Sequence, residues 1–236
     1  MILGFDSAGK SVSAAVYDEK NNICLAKRFN IGTGTHSVTL LPMIDGVLSE
    51  SRLKMSDISL IAVTVGPGSF TGVRIGAATV KGLAFASGKA CVGVSTLEAL
   101  AYNLRFHRGL ICPVMNARRS QVYTALFRSD GETLTRLMPD SAMAISELDA
   151  ILSEYGEEVT LVGDGYDVTE SGFEKTKLRY LPERVRHQSA FSVAEVALKE
   201  YREGNTCTDA ELCVDYLRPS QAERERAERE KQENNN

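Results

Sequence analysis

The chain has 236 residues, 43% hydrophobic and 25% charged. That composition fits one large globular domain or two lobes of about 100 residues each, and excludes general disorder. A net charge of −4 excludes the broad basic surface of a protein that holds RNA by itself. No apolar run approaches the roughly 20 residues needed to span a bilayer. Met1–Asp6 lacks the charged start and long apolar stretch of a secretory signal. A cytoplasmic protein that does not engage membranes is expected. The five cysteines contain no CxxC pair, which suits a reducing compartment rather than a disulfide framework.

Along the chain, Met1–Phe5, Ser11–Tyr17 and Ile23–Phe29 read as three strands joined by the short turns Asp6–Lys10 and Asp18–Asn22, hence an antiparallel meander. A helix follows from about His36 to Ser51, with Leu40, Leu41, Ile44, Val47 and Leu48 on one apolar face and Pro42 near its start. Leu60–Val65 is a continuous apolar strand, covered on both faces. Gly66-Pro67-Gly68-Ser69 then leads into a helix from Phe70 to about Phe85, with Ser69 as its N-cap. Ala90–Val94 is a strand, and Ser95 or Thr96 caps a helix through Tyr102.

The second half opens the same way: strand Leu110–Met115, turn Asn116–Ser120, strand Gln121–Arg128. Val159–Val162 is a later strand ending in Gly163-Asp164-Gly165, and Ser192–Arg202 is a helix capped by Ser192. A repeated strand-turn-strand opening points to duplicated lobes. Glu223–Glu233 is a run of mixed charge that reads as a solvated helix or frayed tail.

Gly4–Ser11 satisfies the string G-x-x-x-x-G-K-S literally. A phosphate-cradling loop of that kind must follow a strand and open a helix, because the helix N-terminus supplies the N–H donors. Here the first glycine lies inside a strand and another strand follows, so the turn reading holds. Asp6, at the end of the first strand, can face phosphates or a cation, or simply close the hairpin as an Asx-turn; from this residue alone the Asx-turn is favoured. Ser69 opens a helix whose N-terminus suits an anion. Inside that helix Gly72 and Gly76 stand four apart, with Thr79 and Leu83 continuing the face. A helical glycine costs about 1 kcal/mol against alanine, so close approach of another backbone should compensate. The sheet beneath and a partner helix are equally open as that neighbour. His36, His107 and His187 belong to no ligand-spaced motif, and no metal or cofactor is expected.

Several stretches together resemble one known family: Ile2-Leu3-Gly4-Phe5-Asp6-Ser7; His36-Ser37 running into Leu40–Ile44; and Val65-Gly66-Pro67-Gly68-Ser69-Phe70-Thr71-Gly72-Val73-Arg74-Ile75-Gly76. Gly93–Ala99, Ala117-Arg118-Arg119 with Val122-Tyr123, and Tyr216-Leu217-Arg218-Pro219 continue the series. The pattern is similar to the TsaB (YeaZ) family of accessory proteins in tRNA threonylcarbamoyladenosine biosynthesis. The resemblance implies an α/β, two-lobed ASKHA fold (actin, sugar kinase, Hsp70) with mixed sheets, the lobes spanning 1–105 and 106–220 and a charged tail 221–236.

It also implies a non-catalytic role. The protein would bind TsaD, the paralogue that transfers the threonylcarbamoyl group to adenosine 37 of tRNAs reading codons that begin with A. The ATPase TsaE would complete the complex, tRNA being met only through it, and a homodimer would form when TsaD is absent. The family's contact helices carry over to His36, Leu40, Leu41, Ile44, Val47 and Leu48, and to Gly72, Gly76, Thr79 and Leu83. Asp6, Ser7, Gly66, Gly68 and Ser69 would be a vestigial phosphate-facing set. The HLEGH-type metal segment of TsaD-like enzymes corresponds to Thr96-Leu97-Glu98-Ala99-Leu100, without either histidine. Asn116 replaces the aspartate that family members often carry before Ala-Arg. An ASKHA ATPase or small-molecule kinase using Asp6 is the alternative reading, and a metalloprotease a third that no zinc-ligand spacing supports.

Overall fold

The computed structural model describes residues 1–32, 35–169 and 172–218. The opening apolar run forms β1 (Ile2–Asp6), and β2 (Ser11–Asp18) and β3 (Ile23–Ile31) fold back antiparallel in turn. Helix α1 (His36–Glu50) returns the chain to β4 (Leu60–Gly66), parallel to β1, and α2 (Phe70–Ser87) returns it to β5 (Ala90–Ser95), parallel to β4. The sheet order is β3-β2-β1-β4-β5.

After α3 (Thr96–Tyr102) the pattern restarts. Strands β6 (Gly109–Arg118), β7 (Gln121–Ser129) and β8 (Leu134–Ala144) form a second meander. Helix α4 (Ile145–Ser153) precedes β9 (Val159–Val162), parallel to β6; α5 (Tyr166–Thr169) precedes β10 (Leu178–Tyr180), parallel to β9. The order β8-β7-β6-β9-β10 repeats that of the first sheet, so the duplicated lobes are present as duplicated topology.

Strand periodicity divides each core into two layers. From the first sheet, Leu3, Phe5, Ile61 and Val63 pack under α1 and α2. Their neighbours Ile2, Leu60 and Ala62 face the other way, onto α7 (Ala190–Arg202), which follows the short α6 (Glu183–Arg186). Leu97 and Leu100 of α3 pack on Ile111, Ala125 and Phe127 of the second sheet. Thus α3, at the end of the first half, covers the second sheet, while α7, at the end of the second half, covers the first. From Ala190 the chain returns to the first sheet, pairs Cys207 with Cys91, and places the Asp215 N–H 2.8 Å from the Val65 carbonyl.

Several boundaries differ from the sequence reading. β6 continues through Arg118, and the tight turn uses positive φ at Arg118, Arg119 and Ser120. α7 begins at Ala190 after Ser189, not after Ser192, whose hydroxyl instead donates to Asn103 Oδ1 at 2.6 Å. Pro42 lies beyond the first turn of α1, on its exposed side. β8 and α4 have no counterpart in the reading. The tail 221–236, with its charged run Glu223–Glu233, lies outside the described residues.

The α2 glycines divide into two kinds. A Cβ on Gly72 would strike the Ser7 carbonyl, and one on Gly76 would lie 2.8 Å from Ser7 Oγ and 3.0 Å from Val63. Both therefore serve close packing of α2 on the chain's own first hairpin. Gly82 has nothing within 4 Å. Gly72→Ala is expected to destabilise the fold by about 1–3 kcal/mol through overpacking. Gly82→Ala is expected to stabilise it by up to about 1 kcal/mol through helix propensity. Urea unfolding of the two variants checks the opposite signs.

Candidate functional site

The β1–β2 and β6–β7 turns face each other across a cleft of about 610 Å³. Ala8–Lys10 line one wall and Asn116–Arg118 the other, with Pro67–Thr71, Asp164 and the segment Asp215–Arg218 completing it. In a two-lobed fold of this kind the cleft is where a nucleotide's phosphates would sit, so its hydrogen-bond donors decide its chemistry.

Several of those donors are taken. The Ala8 N–H bonds Asp6 Oδ1 at 3.1 Å, the Lys10 N–H bonds Asp164 Oδ2 at 3.1 Å, and Lys10 Nζ pairs with Asp167 at 3.2 Å. At the α2 N-terminus, the Ser69 N–H bonds the Ala8 carbonyl at 2.7 Å and the Gly72 N–H bonds Ser69 Oγ at 3.2 Å. On the opposite wall the Arg118 N–H bonds Asn116 Oδ1 at 2.7 Å. A Cβ on Gly68 would overlap the Ala8 carbonyl, so the glycine loop presses directly on the hairpin, with no room between them for an anion. The expectation that Ser69 offers α2's N-terminus to an anion is therefore corrected. Ser7 is likewise occupied, its hydroxyl donating to the Gly72 carbonyl at 2.8 Å. Gly66 adopts φ +128° against the Asp215 carbonyl. His36 packs inward too, its Nε2 2.9 Å from the Gly9 carbonyl.

The apparent phosphate-loop string dissolves into packing. Gly4 is needed because α7 crosses β1 at contact distance, at Ala190 and Ala194, and Gly9 because Gln188 lies against it. Asp6 is fully buried. Its Oδ2 and the neighbouring Thr64 Oγ1 both lack a partner within hydrogen-bonding distance, although Thr64 is close enough to be the main influence favouring ionisation. Burial above all, with Asp164 adding repulsion, lifts the carboxyl to about 6 against Thr64, Ala8 and His36. Thr96 and Leu100 are wholly buried, Leu100 in the core beneath α3. Among the described residues, no group of three His, Cys, Asp or Glu is placed to hold a metal ion. Several of the cleft's amides are thus committed within the chain.

The α1 and α2 site residues fall into two sets. Leu40, Ile44, Val47 and Leu48 are 1%, 3%, 0% and 9% exposed, and Gly72 and Gly76 are buried, so these six face the chain's own core and not a partner. The helical stripe that marks a partner face equally marks a core face, and here the sheet beneath takes it. Thr79 and Leu83 are half-buried, Leu83 packed on that core. Leu41 stays at the surface with Val38, which is 70% exposed, and with Pro42 and Asp45 beside them. On α2 the outward residues are Arg74, Ala78, Gly82 and Phe85, the last 79% exposed. Val38, Ala78, Gly82 and Phe85, which also face outward, were not singled out in the sequence. Their signal was apolar or small residues at helical spacing off the main stripe.

A duplicated five-stranded sheet, with lobes meeting over a cleft between matching hairpin turns, defines an ASKHA-fold protein. The family model described as "TsaD: tRNA N6-adenosine threonylcarbamoyltransferase" matches residues 30–226. The tRNA threonylcarbamoyladenosine biosynthesis protein TsaB of Bacillus subtilis is 34% identical over 162 residues, 69% of this chain and 70% of that protein. TsaB of Haemophilus influenzae is 30% identical over 229 residues, 92% and 93% of the two chains. YeaZ from Pseudomonas aeruginosa superposes with a TM-score of 0.77 at 23% identity, covering 92% of this chain and 99% of that one. The chain belongs to the TsaB (YeaZ) family.

Asp6 makes a pH-dependent prediction. The folded chain keeps its proton up to about pH 6, while the unfolded chain releases it near pH 4. Stability therefore falls as pH rises from about 4 to 6 and stays lower above, by roughly 3 kcal/mol. Asp6→Asn keeps the acceptor for Ala8 and removes the charge. Its melting temperature is expected to exceed that of the parent by several degrees at pH 7.5 and by much less at pH 4.5. An equal gain at both pH values would contradict this account.

Proposed function

We propose that this chain is a non-catalytic partner that docks on a TsaD-family subunit and supports threonylcarbamoyl transfer to adenosine 37 of tRNAs reading codons that begin with A. The observation that carries the reading is the outward face of α2. Gly82 interrupts an exposed helix with no internal neighbour to justify it, beside Ala78 and the largely exposed Phe85. A helical glycine that nothing in its own fold requires points to a second backbone arriving from outside. Val38 and Leu41 of the adjacent α1 extend the same apolar surface. The same face serves a homodimer when the partner is absent. TsaE joins through the assembled complex, which also holds the tRNA. A cytoplasmic setting suits this role, and no described helix is long and apolar enough to cross a membrane.

The alternative, an ATPase or small-molecule kinase built on Asp6, meets a cleft several of whose amides are already bonded and a carboxyl that resists ionisation. The two readings separate experimentally. Leu41→Asp and Gly82→Arg alter the surface alone. Each is expected to abolish copurification with the TsaD-family subunit while leaving the melting temperature within a few degrees of the parent. Retained copurification in both sinks the docking face. Depletion of the protein is expected to lower threonylcarbamoyladenosine in bulk tRNA, and unchanged levels overturn the function itself.

A further inference from the structure

A second cavity, of about 390 Å³, lies away from the inter-lobe cleft, where α7 begins beside the edge strand β3. Its size is in the range of small-ligand sites. Its lining combines three aromatic rings with cationic side chains. Phe29 of β3 is 44% exposed and Phe106 is 69% exposed. Phe191 stands edge-on to Tyr17 at 5.3 Å. The Phe106 ring is held from behind by Arg105, whose guanidinium lies 4.2 Å from the ring centroid and is itself paired with Glu195.

The electrostatics of this corner are one-sided. Lys27 Nζ donates to Ser189 Oγ at 2.9 Å, and among the described residues it has no carboxylate partner. Desolvation holds its ammonium below the ordinary lysine pKa. Ser189 is also the N-cap of α7 and gives that helix no side-chain cap. The Ala190 N–H bonds Ser13 Oγ at 2.9 Å, but the N–H groups of Phe191 and Ser192 have no acceptor among the described residues. Arg184 adds a further cation on the rim, and no described carboxylate lines the cavity. A lysine ammonium beside the positive end of a 13-residue helix places like charges together. An anion seated between them removes that repulsion and satisfies the free amides at once.

We infer that this cavity binds a planar aromatic group carrying an anionic substituent, best matched by a nucleoside monophosphate unit. Its phosphate sits between Lys27 and the first turn of α7, and its base lies against Phe29 and Phe106. The same unit occurs as a free nucleotide and as one unstacked residue of a single-stranded RNA, for which exposed aromatic rings are the ordinary platform. The site is independent of the docking face of α1 and α2.

The test is titration calorimetry of the intact protein with adenosine 5′-monophosphate, adenosine and a five-residue oligoadenylate, with melting curves confirming that each variant is folded. Saturable binding of the monophosphate is expected, with adenosine at least about tenfold weaker for want of the charged contact. Lys27→Met is expected to weaken the monophosphate about tenfold, and Phe106→Ala about fivefold. Oligoadenylate binding more tightly than the monophosphate, with the same sensitivity to Lys27→Met, identifies RNA as the source; the reverse order identifies the free nucleotide. The inference is overturned if neither probe binds, or if adenosine binds as well as its monophosphate. It is equally overturned if binding survives Lys27→Met and is lost in Lys10→Met, which places it in the inter-lobe cleft.

Discussion

The contact on which most of this structure depends is backbone against backbone: the first hairpin pressed on the start of α2. The Ser69 N–H meets the Ala8 carbonyl at 2.7 Å, the Ser7 hydroxyl meets the Gly72 carbonyl at 2.8 Å, and no side chain stands between them at Gly68 or Gly72. Each bond pairs a group that would otherwise be buried without a partner. Together they fix where α2 lies on the sheet and hence which of its faces looks outward. One packing decision thus ties the first hairpin to the start of α2 and turns Gly72 and Gly76 inward.

The second organising feature is the exchange of helices between halves. Each five-stranded sheet needs both faces covered, because its central strands are apolar on both. α1 and α2 cover one face of the first sheet, and the other is closed by α7 from the far end of the chain. α3 does the corresponding service for the second sheet. The last segment then crosses back to the cleft, where Arg218 donates to the Ala117 carbonyl at 3.0 Å and Tyr216 stacks on Phe70 at 4.7 Å. The lobes are therefore joined by covered hydrophobic surface and not only by a linker, which favours a cleft of fixed width.

Most of the first sheet was legible because its strands are continuous apolar runs separated by clear turn residues. β8 was not: it is an edge strand, exposed along much of its length and carrying Pro139-Asp140, and its pairing with β7 is interrupted by bulges. An edge position tolerates what a central strand would not, so neither composition nor alternation marked it. The family motifs pointed to α1 and α2, and the fold turns most of the residues they named inward. Leu40, Ile44 and Val47 form the regular stripe that periodicity detects, and periodicity reports burial without saying against what. Gly72 and Gly76 show the same ambiguity, settled only when Ser7 is seen against them. Gly82, whose surroundings are empty, carried the informative signal and looked no different in the sequence.

The two surfaces that emerge lie on opposite sides of the same sheet. α1 and α2 cover one face, the cavity at the start of α7 opens on the other, and β1 to β3 run between them. Occupation of one does not obstruct the other, since no residue is shared. They are nonetheless mechanically connected, because Gly4 places β1 in contact with α7 while Ser7, three residues on, seats α2. Ala190, in α7's first turn, lies against Gly4 of β1, and the same strand leads into the hairpin that seats α2. Packed elements of this kind resist small deformations and pass them on instead of absorbing them. The buried Asp6 sits on that line, at the end of β1, where burial above all holds its carboxyl above the ordinary range.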